Sequence, residues 1–257
     1  MPSNRFILTP LFLDKPVAGL AVLAKPGWVI NDPPLPAGAL PSRLAPVHEA
    51  LADFVANTIA GGRRPVSIAG DCCTAIGVAA GLQRAGLNPT LIWLDAHGDF
   101  NTPETTPSGF LGGMPLAMLV GRGDLGMPTA VGLKPLPEHR IILTDGRDLD
   151  PGEKTLLAQS QVAHLEDTAA LGAYPLPDGP LYVHFDVDVI ALDESPAQNY
   201  PAAGGPSAAE LNTVFESLAL TSRLAAVSVS TWNPELDRDG RSRQISLGLL
   251  KTLVGDV

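Results

Sequence analysis

Cysteine is almost absent from this chain: there are two among 257 residues, and they are adjacent, Cys72-Cys73. Neighbouring cysteines close a disulfide only in strained geometry, so no disulfide framework is expected. Long apolar runs are missing as well, and none approaches the roughly 18 residues of a membrane span. Charge is sparse at 17 % of residues, and Lys and Arg (17) are outnumbered by Asp and Glu (27). The resulting net charge of −10 argues against nucleic acid or an anionic membrane as partner. Near the N-terminus, Arg5 precedes Phe6-Ile7-Leu8-Thr9-Pro10, a run too short and too soon broken by proline for a signal peptide. What is present is a 45 % apolar content, enough for a sizeable core. The expectation is a soluble, cytoplasmic, single domain over residues 1–257.

Apolar runs alternate with helical patterns along most of the length. Arg5–Leu8, Leu20–Ala24, Val66–Ala69, Leu91–Leu94, Arg140–Leu143, Val162–Leu165, Leu181–Phe185 and Ala225–Val229 read as strands. Leu44, Val47, Leu51, Val55 and Ile59 recur at helical spacing, and Ser207-Ala208-Ala209-Glu210 has the spacing of a capping box opening a helix through Leu211–Leu220. Such alternation predicts an α/β fold, a mainly parallel doubly wound sheet of about eight strands. The Pro- and Gly-rich stretches Asp32–Pro41, Thr102–Gly113 and Tyr200–Pro206 read as loops.

Asp95-Ala96-His97-Gly98-Asp99 follows the run Thr90–Leu94, so two carboxylates and an imidazole emerge where a strand ends. That edge of an α/β sheet is where ligands bind. If the backbone stays extended, the alternate residues Asp95, His97 and Asp99 share one face and converge on one cation. Asp186-Val187-Asp188 repeats the pattern after Leu181–Phe185. Hard oxygen ligands suit Mn or Mg, and the imidazole draws the preference toward Mn, Fe, Co or Zn. Carboxylates can bridge two cations roughly 3.5–4 Å apart that share a deprotonated water. Either cluster alone could equally be an acidic rim that caps helices or faces water. Together they point to a two-metal site.

With these motifs the chain resembles the arginase/agmatinase ureohydrolases, binuclear manganese enzymes with a three-layer αβα fold that hydrolyse a guanidino or amidino C–N bond. The resemblance covers roughly Val66 to Asp237. Ala69-Gly70-Asp71-Cys72-Cys73 is similar to the first family motif, Gly-Gly-Asp-His-Ser. Asp95–Asn101 matches the second motif, Asp186–Asp188 the third, and Asn233-Pro234 falls in the fourth. The resemblance implies one metal held by Cys72, Asp95, Asp99 and Asp186. A second would be held by His97, Asp95, Asp186 and Asp188, with Asp95 and Asp186 bridging. Asn101 and Ser108 match residues that read an amino acid's carboxylate, and Asp150 and Glu153 match those near its α-amino group. The last two also sit where acids favour a helix N-terminus. A small guanidino or amidino substrate and a homo-oligomer are the partners the resemblance implies.

Three departures from the family pattern matter. Cys72 replaces a metal-ligand histidine; a thiolate is softer and admits Fe, Co or Zn beside Mn. It either ligates or packs as a small apolar residue beside the site, and its position favours ligation. Cys73 reads as packing. Gly112 stands where the family has a histidine thought to shuttle a proton, and His184 is the candidate substitute, though a core position suits it equally. Thr231 replaces a glutamate that pairs with the guanidinium, and Tyr200 replaces a small threonine. Asp99, Thr231 and His184 are thus the catalytic candidates. The cysteine is similar to that in the family's hydroxyarginine-hydrolysing branch, known from D-cycloserine biosynthesis. The expected reaction is therefore hydrolysis of Nω-hydroxy-L-arginine to hydroxyurea and L-ornithine. An ordinary arginase or agmatinase is the alternative, or a catalytically degenerate metal-binding homologue.

Overall fold

Continuous apolar runs, rather than alternating ones, are what a parallel sheet covered on both faces requires. The computed structural model describes residues 3–257 and contains such a sheet. In chain order the strands are β1 (Asn4–Thr9), β2 (Leu11–Phe12), β3 (Lys15–Pro16), β4 (Val29–Ile30), β5 (Arg64–Ala69), β6 (Thr90–His97), β7 (Ile141–Asp148), β8 (Ala163–Leu165), β9 (Leu181–Asp186) and β10 (Leu224–Ser230). Eight of them pair in parallel in the order β4-β1-β5-β10-β9-β6-β7-β8, while β2 and β3 form a small antiparallel ribbon. Every residue of β5 and β9 is buried.

Helices α1 (Leu40–Ala60), α2 (Ala75–Arg84), α3 (Pro115–Leu119), α4 (Gly126–Ala130), α5 (Pro151–Ala158), α6 (Ala208–Leu220) and α7 (Arg241–Val254) connect the strands or follow them. On one face, Leu44, Val47, Leu51 and Val55 of α1 pack with Ile76 and Leu82 of α2. On the other, Leu211 and Phe215 of α6 join Leu249, Leu250 and Leu253 of α7. Gly77 and Gly81 let α2 lie directly on α1: a Cβ at Gly77 would stand 2.7 Å from Leu51 Cβ, and one at Gly81 2.5 Å from Val55 Cβ. The capping box opening α6 is formed, with Ser207 Oγ accepting from Glu210 N at 3.2 Å and Glu210 Oε2 accepting from Ser207 N at 2.8 Å.

Two local expectations are corrected. Leu20–Ala24 is not a strand; Ala18–Leu23 forms a 3₁₀ helix that buries Leu20 and Leu23, a spacing of three rather than two. The remaining strand of the sheet is the two-residue edge Val29–Ile30. Nor does Asp186-Val187-Asp188 continue the pleat. Strand β9 ends at Asp186, and Val187–Val189 is a 3₁₀ turn that carries Asp188 round.

The neighbours β5, β10, β9 and β6 run parallel, so the segments after all four leave at one edge of the sheet. Cys72, Thr231, Asp186 with Asp188, and His97 with Asp99 follow from those ends.

Candidate metal centre

Asp95 is fixed by its own strand: its Oδ1 accepts from His97 N at 2.7 Å, and its Oδ2 accepts from Trp93 Nε1 at 3.0 Å. The extended backbone lasts only to His97, because Asp99 takes a left-handed φ of 49°. The turn therefore brings Asp99 back over the strand end, which strict alternation along an extended strand does not predict. Asp188 Oδ2 lies 3.1 Å from His97 Nδ1, and its Oδ1 accepts from Ala96 N at 3.2 Å. Asp186 Oδ1 accepts from Asp188 N at 2.8 Å and from the Thr231 hydroxyl. Its Oδ2 accepts from Cys72 Sγ at 2.8 Å.

Two donor sets result. Cys72, Asp95 and Asp99 bring ligand atoms within 4.8 Å of one another, as do Asp95, His97 and Asp188, with Asp95 common to both. Asp186 joins the first set through its contact with the Cys72 sulfur. Asp99 Oδ2 is buried without a hydrogen-bond partner, although buried polar atoms nearly always have one. An orphaned carboxylate oxygen facing a sulfur and a second carboxylate fits a cation, so the residues present suit the binuclear group.

The electrostatics agree. Burial first, then the neighbouring Asp188 charge, pushes the Asp95 carboxyl up to about 7. Burial and neighbouring carboxylates likewise raise Asp99 and Asp186 well above the usual range. Burial opposes protonation of His97, but hydrogen bonds and charge from Asp188 and Asp95 outweigh it and push the imidazole up to about 12. Asp188 is also pressed upward by burial, yet its bonds to His97 and Ala96 bring it below the ordinary value. Burial and the charges of Asp186, Asp99 and Asp95 raise the Cys72 thiol. This excess of buried negative charge is what bound divalent cations neutralise.

A cavity of about 180 Å³ opens onto these groups. Asp148, Asp150 and Glu153 line it as well, together with Asn101 and Ser108, and among the described residues no Lys or Arg does. Asn101 Nδ2 donates to Asp150 Oδ2 at 3.0 Å. Glu153 Oε1 accepts from Phe100 N at 2.8 Å, and its Oε2 accepts from Asp150 N at 3.2 Å in the capping box of α5. Asp150 and Glu153 therefore cap a helix and line the cavity at once. Ser108 is exposed, its Oγ accepting from Phe110 N at 3.2 Å.

The three departures take physical form here. Cys72 points into the donor set. At Gly112 a Cβ would stand 2.4 Å from Phe110 ring atoms, so that ring already fills the space a side chain would need. Phe110 stacks on Phe12 at 6.2 Å between centroids and tilts against Tyr200 at 5.1 Å, making an aromatic wall. Thr231 sits at φ 71°, an uncommon conformation for a β-branched residue, with its hydroxyl turned to Asp186.

His184 does not line this cavity. It is fully buried beneath it, stacked on Trp93 at 3.8 Å, and burial pushes its imidazole down to about 3. Lying behind the cavity wall, it is not placed to reach a leaving amine, and the geometry does not fit the candidate shuttle role. Sequence reasoning also missed several groups. Asp148 lines the cavity 3.9 Å from His97 Nε2. Asp71 accepts from Leu13 N at 2.7 Å and Cys73 N at 2.9 Å, fixing the turn that presents Cys72. Ser228 and Ser230 lie below the ligands, and their period-two spacing next to Thr231 was the signal that could have found them.

A parallel α/β sheet with buried carboxylates, an imidazole and a thiol at its carboxyl edge defines a metallohydrolase. Residues 28–255 match the model of the Arginase family, and the chain belongs to that family. An arginase of Brevibacillus brevis is 32 % identical over 222 residues, 81 % of this chain and 74 % of that one. The Nω-hydroxy-L-arginine amidinohydrolase of Streptomyces lavendulae is 29 % identical over 201 residues, 77 % of this chain and 71 % of that one. The crystal structure of Bacillus cereus arginase superposes with a TM-score of 0.85 at 25 % identity, covering 99 % of each chain. The chain is accordingly a hydrolase acting on the C–N bond of a linear amidine, in a family that works with two divalent cations.

Proposed function

We propose that this enzyme hydrolyses Nω-hydroxy-L-arginine to hydroxyurea and L-ornithine. The observation that carries the reading is that Thr231 and Gly112 are neutral where they line the cavity, while Asp150 and Glu153 line the same cavity as acids. At the Thr231 position itself a guanidinium would find no carboxylate to pair with, since Thr231 offers only a hydroxyl already committed to Asp186. An N-hydroxyguanidine is less basic and needs no full countercharge. The substrate's ammonium suits Asp148 and Asp150, and Asn101 and Ser108, which line the same cavity, would read its carboxylate.

Cys72, Asp95, Asp99 and Asp186 would hold one cation, and His97, Asp95, Asp186 and Asp188 the other. Manganese is the first choice, with Fe, Co or Zn admitted by the sulfur. When bound, the pair supplies Lewis-acid polarisation of the amidine carbon and a water deprotonated at neutral pH. Asp99 Oδ2, buried with no hydrogen-bond partner, is the oxygen this residue would offer to the cation. Phe12, Phe110 and Tyr200 wall the cavity and limit water beside the reacting carbon. Glu153 fixes the backbone of Phe100, and with it the segment that carries Asp99 and Asn101.

The ordinary arginase reading has its own support, since arginases are among the relatives at 32 % identity. Incubating the enzyme with hydroxyarginine, arginine or agmatine, each with Mn, Fe, Co or Zn, separates the two. Hydroxyurea and ornithine are the expected products. No turnover of hydroxyarginine with any metal would contradict the assignment.

A further inference from the structure

Beneath the ligand set runs an unbroken line of buried polar groups. Tyr182 Oη lies 2.7 Å from Ser228 Oγ, and Ser228 Oγ 2.7 Å from His184 Nδ1. His184 Nε2 lies 3.3 Å from Ser230 Oγ, and Ser230 Oγ 3.1 Å from Cys72 Sγ. Period-two geometry builds it. Tyr182 and His184 share one face of β9, Ser228 and Ser230 share the same face of β10, and Ser228 pairs with His184 in register. The four groups below the cysteine are at most 1 % exposed.

We propose that Ser230 and His184 are positioning residues for Cys72, ending a hydrogen-bond chain that donates one hydroxyl to its sulfur and lets a thiolate serve where the family has an imidazole. The inference rests on Cys72 acting as a ligand. A ligating thiolate only accepts hydrogen bonds, and this fixes the direction of the whole line. Ser230 spends its single proton on the sulfur, so its oxygen accepts from His184 Nε2–H. His184 Nδ1 then accepts from Ser228, whose oxygen accepts from Tyr182. This one arrangement satisfies every member, as a buried network must be. His184 is neutral in it, being fully buried, bonded to two hydroxyls and stacked on the Trp93 ring.

The chain also answers a chemical difficulty. A thiolate adds negative charge beside Asp95, Asp99 and Asp186. A hydrogen bond to sulfur draws electron density away from the metal and restores its Lewis acidity. The Trp93 bond to Asp95 Oδ2 serves the neighbouring ligand in the same way, so the stacked Trp93–His184 pair supports both.

Cobalt(II) titration tests this without turnover, because a cobalt-bound thiolate gives a sulfur-to-cobalt charge-transfer band. The band is expected in the unaltered enzyme and absent from Cys72→Ser. In Ser230→Ala it moves to longer wavelength, because the sulfur is more electron-rich, and cobalt affinity falls about 10–100-fold. Ser230→Thr, which keeps the hydroxyl, restores both. His184→Phe keeps a ring on Trp93 but removes both nitrogens; Ser230 keeps its proton but loses the bond that orients it, so a smaller shift in the same direction is expected, which serves should Ser230→Ala not fold. Melting curves of each variant separate a folding defect from a spectral change. A band and affinity unchanged in folded Ser230→Ala and His184→Phe would overturn the positioning role while leaving Cys72 a ligand. No band in the unaltered enzyme would overturn both.

Discussion

Thr231 joins two features that seldom meet in a β-branched residue, a φ of 71° and a hydroxyl bonded to a buried carboxylate. Strain of that kind, of order 1–3 kcal/mol, persists where the surroundings over-determine it, and such places cluster at active sites. Thr231→Glu removes the β-branch and returns a carboxylate to the reactive end. The ratio of kcat/KM for hydroxyarginine over arginine is expected to fall at least about 10-fold, the scale of one charge-assisted hydrogen bond. Gly112 makes a second case. Gly112→His alone meets the Phe110 ring and is expected to lower stability by about 1–3 kcal/mol. Adding Phe110→Ala relieves that clash, so urea melts of the four proteins should show a coupling of at least about 0.5 kcal/mol. Additive effects would mean the ring is not what fills the space. The convergence of Asp95, His97, Asp99, Asp186 and Asp188 was legible in the sequence because two acidic sets follow apolar strands that end at one sheet edge. His184, Ser228 and Ser230 were not, since their partners lie on a neighbouring strand at sequence separations of 44 and 46 residues.

Among the secondary elements, legibility followed burial on both faces. The runs in β5, β6, β9 and β10 are apolar because helices cover both sides of the sheet, and each stands close to where the residue pattern puts it. Leu20–Ala24 has the same composition but a three-residue burial spacing, which an apolar run alone does not reveal. The turns at Asp99 and at Val187–Val189 were equally hidden, because their backbone follows from contacts across strands. The α1–α2 contact yields a prediction against helix propensity. Gly→Ala in a helix interior normally gains up to about 1 kcal/mol. At Gly77 the added methyl would meet the His48 carbonyl oxygen at 2.8 Å as well as Leu51. Gly77→Ala is therefore expected to destabilise by about 1–3 kcal/mol in urea denaturation. A gain would show that the two helices can separate freely.

For the whole molecule, net charge and site are linked. The chain carries −10, and part of that charge is buried at one sheet edge as Asp95, Asp99, Asp186 and Asp188. Cations bound there oppose unfolding by mass action, worth about 4 kcal/mol at a thousandfold excess over the dissociation constant. Chelation should lower Tm by roughly 5–15 °C for a chain of this size, and excess manganese should restore it. A Tm indifferent to chelator would mean that the acidic edge holds no ion.

In the function we propose, a metal-binding edge altered at Cys72 is turned from a strongly basic guanidine toward a less basic hydroxyguanidine. A competition assay tests it most directly, with arginine and hydroxyarginine present together at equal concentration and urea and hydroxyurea measured from the same vessel. Hydroxyurea is predicted to exceed urea by at least about 10-fold. Urea formed at an equal or greater rate would contradict the account.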